Sequence, residues 1–229
     1  MKNVLVVAAH PDDEVLGCGG TIAKYSKDNN IYLVILGEGI SSRYIQRNEV
    51  KKKELLQLRK DSQKVGELLG IKEIFFFALP DNRFDTVSFL DIVKKVEEII
   101  KKIKPEIIYT HYSGDLNIDH RLTFQAVLTA TRPVKGCSVK EIYSFEIPSS
   151  TEWSFGKIEK DKIFNPNIFE DISDALETKL KALKAYKNEI RKFPHPRSSK
   201  TIRAMATKWG SVAGLKYAEA FELTRKIID

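Results

Sequence analysis

The sequence predicts a three-layer α/β fold: a mainly parallel sheet with helices on both faces and a helical C-terminal appendage, in one domain of residues 1–229. Three observations lead there. Five short apolar runs are rich in β-branched and aromatic residues, as strands buried on both faces are. Stretches with helical spacing of apolar residues separate them, and such alternation implies βαβ units with right-handed crossovers. A length of 229 residues suits one domain with a full core.

The elements follow in chain order. Residues 4–9 (VLVVAA) and 31–36 (IYLVIL) read as the first two strands. A helix from about Arg47 to Leu69 comes next and stops at Gly70, a residue suited to a left-handed C-terminal cap. Residues 73–77 (EIFFF) form the third strand. Ser88 caps the following helix, in which Phe89, Ile92, Val93, Val96, Ile99, Ile100 and Ile103 keep helical spacing until Pro105 stops it. Residues 106–110 (EIIYT) and 140–145 (KEIYSF) supply the fourth and fifth strands. Beyond about residue 150 the strand signal fades. A helix from Asp171 to Ile190, a Pro-broken loop from Phe193 to Arg197 and further helix close the chain.

Composition narrows the class of function. Apolar residues make up 42% and charged residues 30%, as in ordinary globular proteins. No apolar run approaches the ~18 residues of a membrane helix. The N-terminal apolar stretch runs straight into charged residues, so it reads as a strand rather than a signal peptide, and a cytoplasmic location is expected. Cys18 and Cys137 form no CxxC, which argues against a disulfide scaffold or a zinc knuckle. The formal charge of +7 is concentrated: Arg191, Lys192, Arg197, Lys200, Arg203, Lys208 and Lys216 lie in residues 190–218 without one acidic residue. This segment is either a solvated face or a surface for an anionic partner, such as an anionic group on a small substrate. Oligomeric state is left open.

The chemistry-bearing residues converge. In an open α/β sheet the ligand sits outside the carboxyl ends of the strands, where strand order reverses; with the order 3-2-1-4-5, strands 1 and 4 flank that point. Strand 1 ends in His10-Pro11-Asp12-Asp13-Glu14, and strand 4 feeds His111, Asp115, Asn117, Asp119 and His120. Three of the four histidines therefore fall in two loops about a hundred residues apart in sequence. Histidine with carboxylate suits a borderline divalent cation, and a catalytic zinc keeps three protein ligands, here His10, Asp13 and His120. Asp12, beside a ligand on a turn stiffened by Pro11, points elsewhere and is a candidate base. The plainer reading makes HPDDE a polar turn before a helix starting near Gly19. Gly17, Gly19 and Gly20 fit no phosphate-binding pattern and point to close helix packing, with Cys18 a small buried residue.

The segments AHPDDEVLGCGGT and GDLNIDHR resemble the PIG-L/LmbE-like family of zinc-dependent N-deacetylases, over roughly the first 150 residues. The resemblance implies a Rossmann-like fold, Zn2+ as cofactor, and removal of an acetyl group from an N-acetylglucosamine-type sugar conjugate, with no nucleic-acid partner. It implies His10, Asp13 and His120 as metal ligands and Asp12 as general base. It also makes Asp81, in LPDNRF, a contact to sugar hydroxyls and Arg43, in GEGISSRY, a substrate-binding arginine. One departure matters: many relatives carry His-Pro-Asp-His where this chain has Asn117-Ile118-Asp119-His120. Asn117 can donate a hydrogen bond to an oxyanion but delivers no proton at neutral pH. Asp119 is expected to orient His120 or the substrate. The leaving amine then takes its proton from Asp12 or from His195, whose loop would also bring Arg197 if it folds over the site. Trp153 either stacks on a sugar or belongs to the core, and Asn82 and Arg83 either touch substrate or tie their loop. Three other classes stay open: an amidase for a larger acyl group, an iron oxygenase with the same His/His/carboxylate set, and a nucleotide or nucleic-acid binder using the basic segment.

Overall fold

The computed structural model describes residues 1–158 and 163–228. Strands β1 (Asn3–Ala8), β2 (Asn30–Gly37), β3 (Glu73–Leu79), β4 (Ile107–His111) and β5 (Glu141–Phe145) run parallel in the expected order 3-2-1-4-5. Successive residues of β1 enter two different cores. Val4, Val6 and Ala8 pack beneath α1 (Asp13–Tyr25) and α2 (Lys52–Leu69), while Leu5 and Val7 pack beneath α3 (Phe89–Ile103) and α4 (Ile118–Ala130). Burial on both faces is why these strands read as unbroken apolar runs. Helix α3 keeps its expected bounds, and α2 ends at Gly70 with φ 75°. The start of α2 is later than expected, because Arg47–Glu49 form a separate 3-10 turn.

Helix α1 begins at Asp13 rather than near Gly19, so the acidic turn is itself the first turn of the helix. A Cβ on Gly17 would lie 2.3 Å from the Phe145 ring, and one on Gly20 would lie 2.8 Å from Ile172. The glycines therefore serve close packing, as expected.

The C-terminal part is not only helical. Two further strands extend the sheet: β6 (Ile168–Asp171), which precedes α5 (Leu176–Ala185), and β7 (Ala218–Lys226), which follows α6 (Ser199–Ala213). Strand β7 runs antiparallel beside β5, and β6 antiparallel beside β7, completing the order β3-β2-β1-β4-β5-β7-β6. The sequence AEAFELTRK concealed β7 because its residues favour helix. Its Glu219 is buried against Lys179, a tertiary partnership that local sequence does not reveal. Asp171, expected to start a helix, ends β6 and accepts the Ser173 N–H at 2.9 Å. Helix α5 packs on α1 and α2. From its end, residues 186–198 run across the carboxyl end of β1, where they meet the acidic turn.

Candidate active site

Asp12 stands at φ 99°, a left-handed conformation unusual for a residue with a Cβ. This twist sends its side chain away from that of Asp13, as the turn predicted. Asp13 Oδ2 accepts the His10 backbone N–H at 2.7 Å and lies 3.4 Å from His10 Nδ1, His111 Nε2 and His120 Nε2 alike. Burial would push the Asp13 carboxyl up, but the three imidazoles around it hold it well below the usual carboxylate range.

Two carboxylates orient the ligand histidines. His10 Nε2 donates to Asp119 Oδ2 at 2.9 Å and lies 3.2 Å from Asp81 Oδ1, which directs the Nδ1 lone pair toward Asp13. Asp119 also accepts the backbone N–H groups of Asn82 at 2.6 Å and Phe84 at 2.9 Å. It thus positions His10 rather than His120, a correction to the expectation. Asp115 takes the His120 side instead, 3.1 Å from Nδ1 at a bent angle. The same oxygen, Oδ1, accepts from Ser150, and Oδ2 accepts from Thr151 at 2.6 Å. Burial opposes ionisation of Asp115, yet His120 and the hydroxyls bring its pKa to about 2. Burial likewise works against a charged His120, but Asp13 and Asp115 outweigh it and lift the ring to about 9.

The residues fit a divalent cation. His10, Asp13 and His120 each offer an atom to one point, all within 4.8 Å of one another. Asp13 Oδ1 and His120 Nε2 are buried with no hydrogen-bond partner among the described residues, a costly state that a cation between them relieves. A second grouping, His10 with Asp81 and Asp119, also meets in space. Its carboxylates are already engaged, Asp119 as above and Asp81 Oδ2 by Ser42 N–H at 3.1 Å and Ser42 Oγ at 2.6 Å. The free atoms favour the first group.

The segment after α5 closes over this centre, and Arg197 leads it. Its Nη1 donates to Asp12 Oδ2 at 2.7 Å, and its Nε donates to Ser149 Oγ at 2.8 Å. Burial raises the Asp12 pKa well above its ordinary value despite this guanidinium, with Asp13, Glu189 and Glu14 pushing the same way. Glu14, fully buried, accepts from Tyr186 at 2.7 Å and from the Asp12 N–H at 3.1 Å. His195 arrives with the loop but turns its ring onto Trp153 at 5.9 Å, its Nδ1 accepting the Arg197 N–H. Trp153 is 42% exposed, so it lines the rim and is not core.

Three expected residues have other duties. Asn117 caps α4, its Oδ1 accepting the Asp119 N–H at 2.8 Å while Nδ2 donates to Asn82 Oδ1 at 2.7 Å. That gives it a framework role. Arg43 is bound through Nη2 to both oxygens of Glu189, at 2.6 and 2.5 Å, and is not a free cation. Asn82 ties its loop rather than standing clear. The basic segment is similarly engaged: Arg203 pairs with Glu177, Arg191 donates to Asn188 O, and Lys200, Lys208 and Lys216 lie over Phe193, Trp209 and Tyr217. Sequence reasoning placed Asp115 and Glu14 in the two converging loops but gave them no role, and it did not single out Tyr186 or Glu189. Asp115 had a signal, five residues before His120 in the same loop; the others act over more than a hundred residues or through the fold alone.

A buried His/Asp/His cluster with a neighbouring carboxylate, at the switch point of a parallel sheet, defines a metal-assisted hydrolytic site. The family model described as "PIG-L: GlcNAc-PI de-N-acetylase" matches residues 5–131, and the chain belongs to that family. It is accordingly an N-deacetylase, a hydrolase of amide bonds. The chain is 29% identical over 229 aligned residues to a diacetylchitobiose deacetylase of Thermococcus kodakarensis, covering 96% of this chain and 82% of that protein. It is 27% identical to a probable N-acetyl-alpha-D-glucosaminyl L-malate deacetylase 2 of Bacillus cereus, covering 82% and 84%. Among solved structures, the N,N'-diacetylchitobiose deacetylase of Pyrococcus horikoshii superposes with a TM-score of 0.76 at 21% identity, over 98% of this chain and 84% of that one. A 4-carboxy-2-hydroxymuconate hydratase of Pseudomonas putida (GalB) superposes with a TM-score of 0.77 at 20% identity, over 100% and 98%. A hydratase and a deacetylase thus share this fold, and the fold by itself does not select between them. No helix among the described residues is long and apolar enough to cross a membrane.

Proposed function

We propose that this chain is a zinc-dependent deacetylase which acts as one domain and removes the N-acetyl group from an N-acetylglucosamine-type sugar or sugar conjugate. The observation that supports it most is the buried trio His10, Asp13 and His120, with unpartnered Asp13 Oδ1 and His120 Nε2 directed at one point. Zn2+ held there would act as a Lewis acid toward water and the acetamide carbonyl.

The rest of the reaction falls to the chain. Asp12, kept out of the ligand trio by its left-handed backbone, takes the proton from water as general base. Its raised pKa brings that carboxylate nearer the operating pH, which strengthens it as a base. The same carboxyl then returns the proton to the departing amine, a duty His195 is poorly placed to share: burial and nearby Arg197 lower its pKa, and its ring faces Trp153. Arg197 fixes Asp12 Oδ2 and stands at the substrate side of the turn. In this reading Asp81, 3.2 Å from His10 Nε2, and Arg43 contact the sugar.

Release of free amine from N-acetylglucosamine conjugates, measured before and after chelation and after adding Zn2+ back, tests this reading. Chelation is expected to stop release and Zn2+ to restore it. Activity indifferent to the chelator, or confined to amides bulkier than acetyl, would overturn it.

A further inference from the structure

A cavity of about 410 Å3, within the size range of small-molecule sites, opens where α3 ends and where residues 131–139 lead from α4 into β5. This is the side of the amino ends of β4 and β5, whereas the catalytic turn follows the carboxyl end of β1. His120 stands in the first turn of α4, and Ala130, its last residue, lines the cavity. The 13 residues of that helix span roughly 20 Å, so the cavity is separate from the ligand trio.

The wall carries Lys101, Lys104, Arg132 and Lys135 against a single carboxylate, Glu97. That carboxylate is already engaged, accepting from Lys94 Nζ at 3.1 Å. Other lysines of α3 have partners as well: Lys102 donates to Glu73 at 2.8 Å, and Lys95 lies over the Phe77 ring. The four cations of the cavity differ from these. All are exposed, and none forms a side-chain hydrogen bond or ion pair with a described residue. The negative end of α3 accounts for Lys101, in its last turn, but not for Lys135, five residues beyond the end of α4. Two helix ends supply roughly one negative charge between them, too little to neutralise four cations. A phosphate group carries about −1.5 to −2 at neutral pH, so two such groups match the unanswered charge. Arg132 adds the planar fork that holds a phosphate through two parallel hydrogen bonds.

We propose that this cavity is a second binding site, remote from the catalytic turn, for a small molecule bearing two phosphate groups. The proposal stands on the charge and place of the cavity and does not depend on the reaction assigned to the catalytic turn.

Calorimetric titration of the full chain with fructose 1,6-bisphosphate at low ionic strength tests it. One equivalent should bind with Kd below about 1 mM, and binding should weaken as salt screens the exposed cations. Arg132→Gln combined with Lys135→Gln should raise Kd about tenfold or more. Two controls fix the location. Lys60→Gln combined with Lys64→Gln removes the same charge from the exposed side of α2 and should leave Kd within about a factor of two. Arg197→Gln, at the catalytic turn, should do the same. The substituted lysines and Arg132 are exposed, so thermal midpoints of both double variants should match wild type. Absence of saturable binding, an equal loss in the two double variants, or a loss in Arg197→Gln that the cavity variant does not show would overturn the proposal.

Discussion

Replacing Lys179 by Met probes the contact that fastens the last strand to the catalytic helix. Lys179 Nζ donates to Glu219 Oε1 at 2.6 Å and to the Leu16 carbonyl at 2.9 Å. Glu219 also accepts Gly20 N–H at 2.8 Å, Thr21 N–H at 2.7 Å and Thr21 Oγ1 at 2.6 Å. The two side chains are only 6% and 4% exposed. Met keeps the bulk of the Lys stem but strands a buried carboxylate, and loss of one partner from such a pair costs about 3–5 kcal/mol. For a chain of this size that equals a fall in melting temperature of roughly 6–20 °C. Adding Glu219→Gln should recover part of the loss, since the amide oxygen still accepts from Gly20 or Thr21 in the second half of α1 and no charge remains. Urea unfolding of the single and double variants measures all of this. A single variant within about 1 kcal/mol of wild type, or a double variant no better than the single, would refute the reasoning.

Three other outcomes are expected. Asp12→Asn keeps the Arg197 contact but removes the base, so turnover should fall at least 10²- to 10⁴-fold while zinc content by elemental analysis is unchanged; loss of zinc would make Asp12 a ligand. Asp115→Asn should weaken Zn2+ affinity by about 10- to 100-fold in a chelator-dye competition, because the carboxylate that orients His120 is gone; an affinity within a factor of two denies Asp115 that role. Glu14, with a folded-state pKa of about 7 against 4.5 in the unfolded chain, loses its proton first when unfolded. Stability of chelator-treated protein should therefore fall by roughly 3 kcal/mol as pH rises across that window. In Glu14→Gln that slope should be absent from urea midpoints, and a slope equal to wild type would place the titration elsewhere.

What was legible in the sequence was what local pattern encodes. Strands buried on both faces announce themselves as continuous apolar runs, and α3 announces itself through seven apolar positions between a capping Ser88 and Pro105. The ligand trio was legible because the switch point of the sheet brings together two polar loops that hold most of the histidine. Strand β7 was not, since it is stabilised by pairing with β5 and by burial of Glu219 against Lys179, and neither leaves a period-2 apolar signature. The division of labour between carboxylates was also hidden. Whether Asp119 orients His10 or His120 depends on which ring its loop reaches, and three residues of spacing from Asn117 to His120 do not decide it.

The same distinction bears on the cationic C-terminal segment. A run of basic residues without acids looks like a surface for anions when only sequence neighbours are counted. Arg197 of that run has its partner elsewhere, since Asp12 is 185 residues from it. Folding draws an acid of the catalytic turn onto the arginine of the closing segment, so that one of the seven charges is answered by the turn itself. The one segment then does two things at once. It brings the Arg197 guanidinium to the base, and through Tyr186 it holds Glu14 beside that base, so the catalytic turn is fixed by residues more than 170 positions away.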